Sequence, residues 1–184
     1  MKQITFIMMM VLGWQFTVSA QSDKINWVSF EEALILNEKE PKKFFIDFYT
    51  NWCGWCKKLD AVTFVDPEVV DLMNKHYYAI KFDAERKDTV KFQNKEYVFY
   101  KSPESRRGYH TLAAALMNNK LSYPTMVIMQ VEKGTQNVTF HNPLSGYMDG
   151  NAIEPILQYI GEELHTKNVV WEEYRANYSS KGSE

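Results

Sequence analysis

Residues 43–57 read Lys-Phe-Phe-Ile-Asp-Phe-Tyr-Thr-Asn-Trp-Cys-Gly-Trp-Cys-Lys, and they hold both cysteines of this 184-residue chain. The run from Lys43 to Tyr49 is mostly apolar, which is typical of a short buried strand. Leu59 and Val62 follow Trp55 at helical spacing, so a helix should begin near the cysteines. At a helix start, unpaired backbone N–H groups and the helix dipole favour a thiolate. The pattern therefore predicts thiol–disulfide chemistry.

Two other uses of a Cys-x-x-C pair fit the sequence less well. A structural zinc site needs four ligands at close spacing. The chain has no further cysteine, and its histidines are scattered at His76, His110, His141 and His165. An inert disulfide over so short a loop would restrain the unfolded chain little. We therefore expect no metal and no cofactor.

The Trp-Cys-Gly-x-Cys-Lys motif after an apolar strand resembles the active site of the thioredoxin superfamily. The segment 122–125, Ser-Tyr-Pro-Thr, with the apolar run 126–129 behind it, is similar to the family's cis-proline and central strand. Asp47 lies six residues before Cys53, where many thioredoxins carry a buried acid, and Gly146 precedes the terminal helix. The resemblance covers about residues 27–164 and is strongest to envelope or secretory members.

This resemblance implies an α/β thioredoxin-like fold, with a central mixed sheet flanked by helices. Residues 84–121 exceed what a minimal thioredoxin needs, so they should form an insertion before the cis-proline strand. The insertion is either a decorated surface loop or a segment that grips substrate or docks a partner. Trp55 replaces the family's usual proline, and Ala61 lies where a helix-kinking proline is common, which leaves redox potential and substrate choice open.

The resemblance also implies a role for each reactive group. Cys53, with its sulfur near solvent, should attack a substrate disulfide, and the less exposed Cys56 should then resolve the mixed disulfide. Asp47 should be a buried acid with a raised pKa that takes the proton of Cys56 through water. The alternative is an ordinary strand acid that is hydrogen-bonded at the end of the strand.

Five residues are expected to bind substrate. Trp52, Gly54 and Trp55 surround the cysteines, and an exposed apolar rim there would suit unfolded or partly folded proteins. Core packing is the alternative for the two tryptophans, and it fits Trp52 better than Trp55. By resemblance, a cis peptide bond before Pro124 exposes the Tyr123 backbone for pairing with an extended substrate.

The first 20 residues are expected to be a signal peptide. Lys2 precedes the apolar stretch 4–12, and Val18-Ser19-Ala20 supplies small residues for cleavage after Ala20. A transmembrane anchor is the alternative, but the apolar stretch is short for a bilayer. We expect a thioredoxin-like domain at 21–165 and a tail at 166–184, in the periplasm or secreted.

Local signals place the other helices and strands. Ser29 and Glu32 form a capping box, and Asp66-Pro67 caps a second helix. Further strands are expected at 77–83, at 137–141, and as a hairpin of 89–92 with 97–100. Further helices are expected at 109–118, along the apolar stripe Ile153, Ile156, Leu157, Ile160 and Leu164, and near Trp171 and Tyr174, with disorder from Ser179 to Glu184.

Charge and composition narrow the function. The chain has 21 basic and 23 acidic residues and no basic patch with interleaved aromatics, so no nucleic-acid partner is expected. The leading hypothesis is a protein disulfide oxidoreductase, either a reductase or an isomerase. Its partners would be disulfide-containing proteins and a membrane or envelope redox protein, and the mature chain would not span a membrane. The alternative is a thioredoxin-fold binding module with a structural disulfide.

Overall fold

A six-stranded mixed sheet with helices against both faces forms the body of the computed structural model, which describes residues 22–178. The strands are β1 (Trp27–Val28), β2 (Lys43–Tyr49), β3 (Tyr77–Asp83), β4 (Val90–Phe92), β5 (Lys95–Tyr97), β6 (Phe99–Tyr100), β7 (Tyr109–His110), β8 (Thr125–Val131), β9 (Val138–Phe140) and β10 (Leu144–Ser145). The helices are α1 (Phe30–Lys39), α2 (Gly54–Ala61), α3 (Pro67–His76), α4 (Thr111–Leu116), α5 (Gly150–Gly161) and α6 (Trp171–Asn177). The predicted fold class is confirmed.

Strand β2 lies in the middle of the sheet. It pairs in parallel with β3 along one edge and antiparallel with β8 along the other, and the full sheet order is β1-β3-β2-β8-β10, with β9 also paired to β8. Because side chains alternate along a strand, Phe44, Ile46 and Phe48 enter one core and Phe45 enters the other. Asp47 therefore points to the face that carries α2, α3 and α5.

The predicted helix starts are confirmed by their caps. Ser29 Oγ accepts a hydrogen bond of 3.1 Å from the Glu32 N–H at the start of α1. Asp66 Oδ1 accepts one of 3.0 Å from the Glu68 N–H, and Pro67 occupies the first position of α3. In both cases a side chain satisfies a backbone donor that has no partner within the helix.

The insertion folds differently from the predicted single hairpin. Strand β4 pairs with β5 across a turn at Gln93-Asn94, whose φ angles of 51° and 58° are left-handed. Strand β6 pairs instead with β7, with Phe99 opposite His110 and Tyr100 opposite Tyr109. The predicted helix at 109–118 is shorter, since Tyr109 and His110 form β7 and α4 begins at Thr111.

The end of the chain follows most of the prediction. Strand β9 pairs antiparallel with β8, and α5 buries Ile153, Leu157 and Ile160. Leu164 was wrongly included in that helix: it lies in a separate 3-10 turn, Leu164–Thr166, after α5 has ended. The short helix near Trp171 is confirmed as α6.

Two predictions concern residues outside the described range, namely the signal peptide at 1–20 and disorder at 179–184. Within residues 22–178, every helix is too short or too polar to cross a bilayer.

The insertion shares a core with the main sheet, and this can be tested. Phe92 of β4 is buried, and its ring centre lies 5.2 Å from that of Phe30 in α1. We predict that Phe92→Ala lowers the free energy of unfolding by about 3–5 kcal/mol, measured by urea denaturation. Phe140→Ala, at a half-exposed site in β9, should change it by no more than about 0.5 kcal/mol. Equal effects of the two substitutions would mean that the insertion is a peripheral loop.

Candidate active site

The two cysteines lie where β2 ends and α2 begins, as predicted. Cys53 is the N-cap residue of α2, and its N–H donates to the Thr50 carbonyl at 3.1 Å. Cys53 and Cys56 form a disulfide with a Cα–Cα distance of 5.3 Å. The Cys56 N–H donates to Cys53 Sγ at 3.0 Å, so the helix start directs a backbone donor at this sulfur.

Cys53 is less exposed than the sequence suggested. Its residue exposure is 4%, against 2% for Cys56, so neither sulfur stands open to solvent in the disulfide form. The helix that the spacing of Trp55, Leu59 and Val62 predicts is confirmed as α2. Only Leu59 faces the core, because α2 packs on the sheet through Cys56 and Leu59 and turns the other two side chains outward.

Pro124 lies at the same end of the sheet as the cysteines. The Tyr123–Pro124 peptide bond is cis, and β8 begins at the next residue, Thr125, which pairs with Phe48 near the end of β2. The Gly146 N–H donates to the Pro124 carbonyl at 2.9 Å, and Gly146 adopts a φ of 91°, which favours glycine. This hydrogen bond links the Pro124 segment to the chain that leads into α5.

Asp47 is completely buried, with 0% exposure, two strand positions before the end of β2. Its Oδ2 accepts a hydrogen bond from Lys81 Nζ at 2.6 Å. The same ammonium also forms an ion pair with Asp60, so one cation lies between two carboxylates. Asp47 Oδ1 has no hydrogen-bond partner among the described residues.

Burial raises the pKa of the Asp47 carboxyl above its ordinary value, as predicted from the sequence. The charge and hydrogen bond of Lys81 act in the opposite direction, and the charge of Asp60 adds to the effect of burial. Removal from water dominates because it disfavours the ionised form of the acid. Asp47 is therefore better able than an exposed aspartate to hold a proton.

Lys81 and Asp60 complete the charge cluster at Asp47, and the sequence analysis missed both. The Lys81 ammonium lies within 5.4 Å of the ring centres of Trp27, Tyr49 and Phe64, which enclose it beside Asp47. The register of the two strands brings Lys81 to Asp47: β2 and β3 pair side by side over seven residues, and Asp47 and Lys81 occupy the fifth position of each. Asp60 follows Cys56 by four residues, which places both on one face of α2.

Both tryptophans are exposed, Trp52 at 48% and Trp55 at 57%, so core packing of Trp52 is excluded. The Trp52 ring lies edge-on to Tyr123 with centres 6.0 Å apart, and the Trp55 ring lies 5.5 Å from Tyr147. We call these four side chains the aromatic rim. Gly54, between the tryptophans, is exposed and has open space where a side chain would be. The rim and Pro124 are thus brought to one end of the sheet.

Comparison with known proteins identifies the family. Residues 15–178 match the Thioredox_DsbH family, which has the description "Protein of unknown function, DUF255". This chain belongs to the Thioredox_DsbH family.

Within residues 22–178, no group of three or more histidine, cysteine, aspartate or glutamate side chains is arranged to hold a metal ion.

Solved structures show the fold of this Thioredox_DsbH chain. A thioredoxin from Thermus thermophilus superposes with a TM-score of 0.54 at 15% identity, covering 85% of this chain and 99% of that one. A thioredoxin-fold protein from Helicobacter pylori gives 0.52 at 18% identity, covering 88% and 97%. The chain therefore has a thioredoxin fold.

The sequence relatives include proteins with a named activity. The thiol:disulfide interchange protein DsbD of Vibrio vulnificus (strain CMCP6) is 31% identical over 84 residues. The match covers 41% of this chain and 14% of the DsbD protein, so the two share only a small part of the relative's length.

The buried acid gives a pH-dependent stability prediction. Folding raises the pKa of this carboxyl, so the carboxyl destabilises the native state at pH values above its pKa in the unfolded chain. This destabilisation disappears as the pH falls below the unfolded pKa. We predict that Asp47→Asn raises the free energy of unfolding of the disulfide form by about 1–3 kcal/mol near neutral pH. The gain should vanish below the ordinary pKa of 3.8. Urea titrations across this pH range measure it.

Glu96→Gln is the matched control, because Glu96 lies on exposed β5 and, among residues 22–178, forms an ion pair only with exposed Lys91. It should change stability by less than about 1 kcal/mol at any pH. An Asp47→Asn protein that is less stable than wild type near neutral pH would show that the Lys81 pair outweighs the cost of burial.

Proposed function

We propose that this protein is a thiol–disulfide oxidoreductase that acts on protein disulfides, in the reducing or isomerising direction, through the Cys53–Cys56 pair. The single observation that carries the proposal is the disulfide at the start of α2, where the Cys56 N–H donates to Cys53 Sγ. A backbone donor directed at a sulfur stabilises negative charge on it. The thiolate is the form of cysteine that attacks disulfides.

In the first step, the Cys53 thiolate attacks one sulfur of a substrate disulfide. The substrate S–S bond breaks as a bond between Cys53 and that sulfur forms, and the departing sulfur takes a proton from solvent. The Cys53–Cys56 disulfide must first be reduced by a dithiol of another protein, because Cys53 has no thiolate in the disulfide form.

In the second step, Cys56 resolves the mixed disulfide. Its proton passes to Asp47, whose Oδ1 is the carboxylate oxygen without a partner among residues 22–178. The Cys56 thiolate attacks Cys53 Sγ, the Cys53–Cys56 bond forms, and the second substrate sulfur leaves and is protonated. Two electrons have then moved to the substrate, and a dithiol of another protein must reduce the pair again.

The raised pKa of Asp47 suits this role. An acid that ionised at its ordinary pKa would hold a proton poorly near neutral pH, whereas burial makes proton acceptance less unfavourable. When Asp47 is ionised, the ion pair with Lys81 partly balances its negative charge. Lys81 acts through Asp47 and is thus a positioning residue.

The setting that we propose is the periplasm or the extracellular space. Support comes from the similarity to part of DsbD, a thiol:disulfide interchange protein, and from the signal-like segment at 1–20. Disulfides persist in such compartments. An envelope protein that supplies electrons is the expected partner, together with disulfide-containing substrate proteins.

We predict that the reduced protein accelerates the reduction of insulin by dithiothreitol, followed by turbidity. Cys53→Ser should abolish the acceleration, because the helix start directs its backbone donor at Cys53 Sγ and the one remaining thiol, Cys56, is the resolving group. Cys56→Ser should keep the attack and accumulate mixed disulfides through Cys53, visible as bands that vanish on reduction.

The control is Lys133→Ser, in the turn after β8 at the opposite end of the sheet, which should act like wild type. If the wild-type protein gives no acceleration and neither cysteine variant traps a partner, the pair is structural and the binding-module hypothesis replaces this one.

A further inference from the structure

Each tryptophan of the aromatic rim carries a cation over its ring. The Arg107 guanidinium lies 4.3 Å from the centre of the Trp52 ring. On the other side, Lys58 Nζ lies 5.1 Å from the Trp55 ring and 4.6 Å from that of Tyr147. The disulfide is thus flanked by two clusters in which an exposed aromatic surface and a positive charge occur together.

Arg107 comes from the insertion, so the insertion forms part of this surface. It lies just before β7, which pairs with β6. The next residue, Gly108, packs so closely on β6 that an added Cβ would lie 2.2 Å from the Phe99 ring and 2.6 Å from the Tyr100 carbonyl oxygen. This close packing fixes the backbone that carries Arg107.

A basic groove of about 360 Å³ continues from the rim along the insertion, and it includes Asn51, the neighbour of Trp52. Four cations line it, Lys87, Lys101, Arg106 and Arg107, against two carboxylates, Asp83 and Glu85. Glu85 lies 3.8 Å from Arg107. Among residues 22–178, the other three cations have no carboxylate within ion-pair distance.

The charge of this surface is opposite to that of the whole chain. The chain has a net charge of −2, whereas the groove has two more cations than anions, and Lys57 and Lys58 of α2 add positive charge beside the disulfide. A local concentration of one charge sign attracts ligands of the other sign and speeds their association. Arg106, which has no carboxylate partner among residues 22–178, is also suited to bidentate binding of a carboxylate.

We propose that the groove and the aromatic rim bind an acidic segment of a substrate polypeptide, next to the disulfide that Cys53 attacks. This rests on the proposed function and names its substrate class. The rim lies on both sides of the cysteines, so an extended chain can contact Trp55 on one side while its acidic residues enter the groove beyond Trp52. A small dicarboxylate could occupy only one of these places.

The test uses three disulfide-linked peptides of equal length, with aspartate, serine or lysine residues flanking the cystine. The reduced protein is mixed with each, and the second-order rate of disulfide reduction is measured at low and high salt. We expect the acidic peptide to react at least about tenfold faster than the basic one at low salt, with the ratio shrinking as salt screens the charges.

Arg106→Ser/Arg107→Ser should reduce that ratio to near one. Arg106→Ser alone should lower it partly, and because Arg106 is exposed and makes no ion pair within the described chain, misfolding would not explain the loss. The control Lys39→Ser/Lys133→Ser removes an equal amount of positive charge at the far end of the sheet. It should keep the wild-type ratio of acidic to basic peptide rates.

Equal wild-type rates for the three peptides would overturn this inference and leave the proposed function intact, whereas no reduction of any peptide would overturn both. Oxidised glutathione is the small-molecule comparison. If it reacts as fast as the acidic peptide and depends equally on Arg106 and Arg107, the groove selects small carboxylates and the polypeptide proposal is wrong.

Discussion

The ion pair between Asp47 and Lys81 is the interaction on which the rest of this site depends. It joins the two parallel strands at the centre of the sheet, and their register sets the two residues side by side. An unpaired carboxylate at 0% exposure would cost several kcal/mol. The lysine offsets part of that cost, the aromatic rings of Trp27 and Phe64 enclose it, and Asp60 links it to α2. A buried acid is thereby held on the face of the sheet that also carries the cysteine helix.

The proposed chemistry divides between two parts of the molecule. The shared thioredoxin fold supplies the cysteine pair at a helix start, the Pro124 segment and the buried acid, all from β2, α2 and β8. The insertion adds no reactive group, but it places Arg107 on Trp52 and builds a basic groove beside the disulfide. In this account, the fold determines the reaction and the insertion determines which polypeptides are brought to it.

Local rules explain what the sequence could predict. Strand β2, the cysteine helix and the caps at Ser29 and Asp66 each follow from residues close together in the chain. The pairing of Lys81 with Asp47 depends on the register of two strands 34 residues apart, which composition does not set. The insertion was misassigned for the same reason: 97–100 has strand character throughout, but tertiary pairing assigns its first residue to β5 and its last two to β6. The outward turn of Trp55 and Val62 likewise depends on how α2 meets the sheet.

The most direct measurement of the central claim is the reduction potential of the Cys53–Cys56 pair, from equilibration in glutathione or dithiothreitol buffers. The two exposed tryptophans that flank the pair provide a fluorescence readout. A reductase or isomerase requires a two-electron transition between about −270 and −180 mV. A potential below about −300 mV is typical of a structural disulfide and would contradict the account, and one near about −120 mV would identify an oxidant instead.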